Sequence, residues 1–253
     1  MGWEFVAQKS IEIAIKSGLF EKIKTFFKSK KKIVIFGSSG VGKTQFVKSF
    51  KTKQRISVSR SNRTKTVEKS FLSFDKIPVL LIDTPGDDLR RSFRDEEVRK
   101  IIKNDCAGII NVVAYGYHEG PVSQIEQVMD RENVKESYLS ARRQKELEQL
   151  VTWLPFVELS NLKWIITLVN KADIWWDKDL LEIENYYEHG EYGKIINKLN
   201  KPLNHVVLPY CSTIEPFYGI KTSGRFGMTA KVNLQTHFQS TLLNSLGKIG
   251  KIE

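Results

Sequence analysis

The 253-residue chain predicts an α/β domain: a mostly parallel sheet covered by helices on both faces, with one extra amphipathic helix at the N-terminus. Two observations lead there. Short apolar runs alternate with segments of helical period along most of the chain, the pattern of strand–helix–strand units. The runs "IPVLLI" and "AGIINVVA" carry almost no polar position, as expected of strands buried within a layered domain. None reaches the roughly 18–20 apolar residues of a membrane span.

The elements follow in order. Residues 3–28 place Ile11, Ile15, Leu19, Ile23 and Phe26/Phe27 at spacings of three and four, an apolar helical stripe, with Lys9, Lys16, Lys22, Lys24 and Lys28 on the remainder. Residues 1–31 therefore form a basic helical segment, and 32–253 the main domain. Residues 32–37 read as the first strand and 43–51 as a helix. The polar, basic stretch 52–66 reads as a loop. Residues 67–74 and 77–83 form two strands around Asp75-Lys76, which makes one edge strand antiparallel. A charged loop at 84–95 leads into a helix at 95–103. Further strands fall at 107–114, 163–170 and 205–210. Helices fall at 137–154, at 179–199 with a break at "HGEYG", and at 233–249. The stretch 115–136 reads as irregular.

Net charge is +11, and residues 1–70 hold 17 Lys/Arg against 4 Asp/Glu. Two readings fit: an anionic partner, or a solvated basic face. The N-terminus reads as lacking a signal peptide, because Lys and Glu interrupt its apolar positions. Cys106 and Cys211 are expected to be free buried thiols in a reducing cytoplasm.

Three motifs carry chemistry. "GSSGVGKT", residues 37–44, fits G-x-x-x-x-G-K-[ST] between a strand and a helix. Backbone N–H groups from Ser39, Gly40, Val41, Gly42, Lys43 and Thr44 can cradle phosphates at a helix N-terminus. Lys43 would reach the β- and γ-phosphates, and the Thr44 hydroxyl would bind Mg²⁺. In "LLIDTPGDD", residues 80–88, Asp83 ends a buried strand and can hold Mg²⁺ through water, while the Gly86 N–H can sense a γ-phosphate. In "LVNKAD", residues 168–173, Asp173 can accept paired hydrogen bonds from guanine N1–H and N2–H₂, which adenine lacks. Asn170 would brace the loops, and the Lys171 stem would stack on the base.

Together these residues resemble a P-loop GTPase of the Ras-like, septin-like and Era/TrmE-like class, over about residues 32–250. The resemblance implies a three-layer domain with a six-stranded sheet that binds GTP/GDP with Mg²⁺ and hydrolyses GTP. It implies that Ser212 and Thr213 in "YCSTIEP" fill the base-contacting S-A-x position. It also implies a switch threonine that joins Mg²⁺ and γ-phosphate. Alignment on "IPVLLIDT" selects Thr64, and alignment on "TVEKSF" selects Thr66; Thr64 is preferred. On that reading Lys43, Thr64 and Gly86 are the catalytic set, and Thr44, Thr64 and Asp83 the metal set.

The chain departs from the pattern at two places. Asp87 stands where Ras-like chains carry the glutamine that orients water, so hydrolysis is expected to be slow. Gly40 stands where potassium-activated relatives carry Asn. Arg60, Arg63, Arg90 and Arg91 are candidate arginine fingers or plain solvated charges. His118 and His189 read as surface histidines. Trp175-Trp176 would dock a partner or anchor their loop in the core. The functional expectation is a slow GTPase switch. The rivals are a GTP-dependent scaffold that self-associates or docks an effector, and a P-loop kinase or ATPase, which Asp173 argues against. The N-terminal helix is open to packing in cis, a protein partner or an anionic membrane. No RNA-binding or zinc pattern supports a nucleic-acid partner.

Overall fold

The computed structural model describes residues 31–51, 68–74, 77–83, 106–120, 125–158, 160–177, 180–199, 201–220 and 224–247, with Glu96, Arg99, Lys100, Ile102 and Lys103 helical. The N-terminal helix expected over 3–28 lies outside the described residues.

The strands are β1 (Lys31–Phe36), β2 (Glu68–Phe74), β3 (Ile77–Asp83), β4 (Cys106–Val113), β5 (Met129–Asp130), β6 (Asn133–Val134), β7 (Trp164–Val169) and β8 (Asn204–Pro209). The helices are α1 (Lys43–Lys51), α2 (Ile125–Val128), α3 (Glu136–Glu158), α4 (Ala172–Trp175), α5 (Leu180–Glu188), α6 (Glu191–Asn197) and α7 (Met228–Gly247). Six strands make one sheet in the order β2-β3-β1-β4-β7-β8. Four pairings are parallel, and the β2–β3 pairing at the edge is antiparallel, as the sequence predicts.

Side-chain alternation builds the three layers. Ile33 and Ile35 join one buried cluster with Phe46 of α1 and Phe238 and Leu242 of α7. Val34 and Phe36 join another with Ile102 and with Trp153 and Val157 of α3. Phe36 stacks on Trp153 with ring centroids 4.4 Å apart, a pair worth about 0.5–1.5 kcal/mol beyond its area burial. All eight residues of β4 and all six of β7 are buried, which explains their unbroken apolar sequence.

Three expectations change. The stretch 115–136 is not uniformly irregular: it holds α2 and the β5–β6 hairpin, which turns through Arg131 at φ 54. Strands of two residues are too short to show a period. Helix α3 extends to Glu158, with Val157 buried on the added length. Helix α7 begins at Met228 rather than 233, because its first turns expose Met228 and Val232 and the apolar stripe starts later.

The chain runs from β1 to β3 on one side and places β4 on the other. The strand order therefore reverses between β1 and β4. In open α/β sheets, the crevice beyond the carboxyl ends of the strands at such a reversal is where ligands bind.

Candidate functional site

Four loops meet beyond those strand ends: 37–42 after β1, 114–120 after β4, 170–173 after β7 and 210–217 after β8. The first runs straight into α1. Gly40 and Gly42 have φ of 85° and 89°, a region costly for residues with a Cβ. A Cβ on Gly40 would stand 2.1 Å from Glu119 O, and one on Gly42 2.5 Å from Asn170 Nδ2. Both glycines are thus required by close neighbours as well as by dihedral. Lys43 is buried, and its ammonium donates to Gly37 O at 2.7 Å and Ser38 O at 3.0 Å, arching across the loop. Ser39 and Thr44 are half-buried, with Thr44 in the first turn of α1. Val41 is fully buried.

Asn170 ties these loops together. It is 1% exposed. Its Nδ2 donates to Val41 O at 2.9 Å, and its Oδ1 accepts from both Ser212 N and Ser212 Oγ at 3.1 Å. Its own carbonyl accepts from Trp175 Nε1 at 2.8 Å. Trp175 is fully buried, which assigns it the core-anchoring role; Trp176 packs edge-on against Phe226.

Lys171 sits in the left-handed region at φ 63, ψ 35. Its ammonium is 3.0 Å from Glu119 Oε1 and 5.0 Å from the centre of the Phe217 ring. Burial pulls its pKa below the ordinary lysine value, and Glu119 opposes that pull. Asp173 is 1% exposed. Its Oδ2 accepts from Glu215 N at 3.2 Å and its Oδ1 from Cys211 Sγ at 3.4 Å. Burial raises its carboxyl pKa above the usual range, opposed by the Glu215 N–H and the Cys211 thiol. Its own backbone N–H is a third donor, which still leaves acceptor capacity on a carboxylate that can take about four. The Thr213 carbonyl accepts from the same thiol at 3.2 Å.

The structure thus brings Ser39–Thr44, Asn170, Lys171, Asp173, Ser212 and Thr213 into one crevice. Asp83 ends β3 opposite Ile35 of β1, which puts its backbone beside the start of the phosphate loop. Thr64, Thr66, Gly86, Asp87 and the four candidate arginines lie outside the described residues.

The 114–120 loop holds the residues that motif reading missed. His118 is not a surface residue: it is 1% exposed, and its Nε2 lies 2.7 Å from Glu146 Oε1. Burial lowers its pKa against the pull of that carboxylate. His189 is exposed, as expected. Glu146, on α3, also accepts from Ala114 N at 2.9 Å and Tyr187 OH at 2.7 Å. One turn on, Gln149 Oε1 accepts from Ser38 Oγ at 2.7 Å. The signal that could have found this loop was its place after a central buried strand, where the crevice had to lie.

A glycine-rich phosphate loop at the sheet's switch point, braced to an Asn-Lys-x-Asp turn, defines a P-loop GTPase domain. The model of the 50S ribosome-binding GTPase family matches residues 32–171, more than half of the chain. The chain belongs to that family, a P-loop GTPase family of the TRAFAC class. No curated protein matches it. Family membership supports guanine-nucleotide binding. The match ends at Lys171, so Asp173, Ser212 and Thr213 enter the site through the geometry above.

Proposed function

We propose that this chain binds GTP with Mg²⁺, hydrolyses it slowly and acts as a nucleotide-dependent switch. The observation that carries the reading is the Asn170 brace, which fixes the phosphate loop at Val41 and the base-reading loop at Ser212 on one buried side chain. The Gly40–Thr44 backbone would hold the β-phosphate, and Lys43 would turn its ammonium from two carbonyls to the anionic oxygens. Asp173 would accept from guanine N1–H and N2–H₂, using the capacity its present partners leave. Ser212 N–H is taken by Asn170, so the O6 contact falls to Thr213. The Lys171 stem would lie along the base.

A magnesium ion would be held by Thr44, in the first turn of α1, and by Asp83, at the end of the strand beside β1, with Thr64 the proposed third contributor. The ion would neutralise phosphate charge. Asp87 in place of a water-orienting glutamine supports slow turnover. We further propose a cytoplasmic location, supported by two buried free thiols. An effector or a second copy would be the partner of the N-terminal helix if it does not pack in cis.

The test is to identify the nucleotide released from purified protein, then to measure phosphate release from GTP and ATP with and without Mg²⁺. Bound guanine nucleotide with slow, Mg²⁺-dependent GTP turnover is expected. ATP turnover matching GTP would refute the assignment. GTP binding without turnover would leave the scaffold reading.

A further inference from the structure

The geometry points to Glu119 as a positioning residue of the guanine site, one that sets the Lys171 side chain and locks it to the phosphate loop. This rests on the guanine-site reading above. Glu119 makes two contacts that no other described residue combines. Its backbone N–H donates to Gly40 O at 3.0 Å, inside the phosphate cradle. Its carboxylate lies 3.0 Å from the Lys171 ammonium, beside the base-reading turn. One residue thus spans the two halves of the nucleotide site, from a loop outside the three motifs.

The loop is built to hold that position. From below, Glu146 of α3 fixes Ala114 N and His118, and Tyr138 OH donates to His118 O at 2.5 Å. From the side, Gly120 N donates to Tyr218 OH at 2.6 Å, in the segment that supplies Phe217 beneath Lys171. The fit at Gly40 leaves no room for a Cβ. The Glu119 side chain itself is 38% exposed, so replacing it creates no cavity.

Lys171 needs this neighbour because it is buried. The charged groups facing it are Glu119 from the β4 loop, Asp173 from its own turn and Glu215 from the β8 loop, which favour the ammonium. His118 lies beneath as a further titratable neighbour. Glu119 acts more strongly on it than the other two carboxylates. The ammonium anchors the stem that would lie along the base; without Glu119, Lys171 would lose the strongest influence opposing the fall in its pKa, and its position with it.

The test is titration with a fluorescent mant-GTP in Mg²⁺ buffer at pH 7.0 and 8.5. Glu119→Gln is expected to weaken binding about tenfold and to make affinity fall more steeply with rising pH than in wild type. Glu119→Asp, which keeps the charge, should restore part of the affinity. Adding Lys171→Arg to Glu119→Gln should flatten the pH profile, because a guanidinium does not titrate in this range. Unchanged affinity in Glu119→Gln and Glu119→Ala, with Asp173→Asn still impaired, would overturn the inference and leave the guanine reading intact. Weakening with a pH profile no steeper than that of wild type would reduce Glu119 to a loop support and equally overturn it. If Asp173→Asn also binds like wild type, the guanine reading itself fails.

Discussion

Replacing Asp173 by asparagine should move stability and binding in opposite directions. In the nucleotide-free protein this carboxyl is buried, with Glu215 N, the Cys211 thiol and its own N–H as donors, and its pKa is raised. A carboxyl that holds its proton more tightly in the folded state favours folding most at low pH. That contribution is lost as pH rises through the raised value. Above that raised value the wild-type protein keeps an undercompensated charge in its crevice. Asparagine removes the charge and still satisfies both neighbours: its oxygen can accept from Glu215 N and its amide can donate to Cys211 Sγ. Melted without nucleotide, Asp173→Asn should be the more stable protein at pH 7–8, and the gap should close as pH falls toward 4. With nucleotide the order reverses. The variant forfeits a charge-assisted pair of bonds to guanine, about 2–4 kcal/mol, or roughly 30- to 1000-fold in Kd. It should gain affinity for xanthosine triphosphate, whose C2 carbonyl accepts from an amide. Scanning calorimetry on stripped protein across pH 4–8, paired with titration of both nucleotides, reads both halves. Unchanged GTP affinity would refute the guanine contact. A stripped variant less stable than wild type at pH 7 would refute the buried-charge argument.

Other outcomes follow from the same site. Lys43→Ala should largely abolish triphosphate binding, and Thr44→Ala should remove its Mg²⁺ dependence, both read by titration with and without EDTA. Asn170→Ala strands Val41 O and the Ser212 N–H and hydroxyl, so it should cost about 3–5 kcal/mol and lower the melting temperature by roughly 10 °C, measured by thermal denaturation. Deleting residues 1–28 should lower the melting temperature of the GTP-bound protein if the helix packs in cis. A changed mass in light scattering, or lost sedimentation with anionic vesicles, would give the helix to a partner or a membrane instead.

The centre of the sheet was legible because β4 and β7 are buried on both faces. "AGIINVVA" and "KWIITLVN" can hardly be read otherwise, and β4 and β7 end within one residue of the expected positions. The phosphate loop and the Asn-Lys-x-Asp turn were legible because their chemistry demands particular residues at fixed spacing. Glu119, His118 and Glu146 were not, because their pairing depends on tertiary placement. His118 and Glu146 are 28 residues apart, and nothing local marks either as buried. "YGYHEG" looks like any polar turn until α3 is seen beneath it. The start of α7 was missed for the opposite reason, since a helix whose first turns face solvent shows no stripe there.

The Asn170 brace has a consequence for the order in which the protein becomes competent during its synthesis. Gly37–Thr44 is complete early, yet its partner at Val41 O comes from a residue 129 positions later, and that residue's own anchor at Ser212 comes 42 positions later still. At about 5–20 residues per second, on the order of 10–35 s pass between translation of the phosphate loop and translation of Ser212. Throughout that interval the phosphate loop is not yet tied through Asn170 to the base-reading loop. Nucleotide capture should therefore begin late and abruptly, as β8 docks. A ribosome stalled before Ser212 should present a chain that does not retain GTP, and one stalled well past β8 a chain that does.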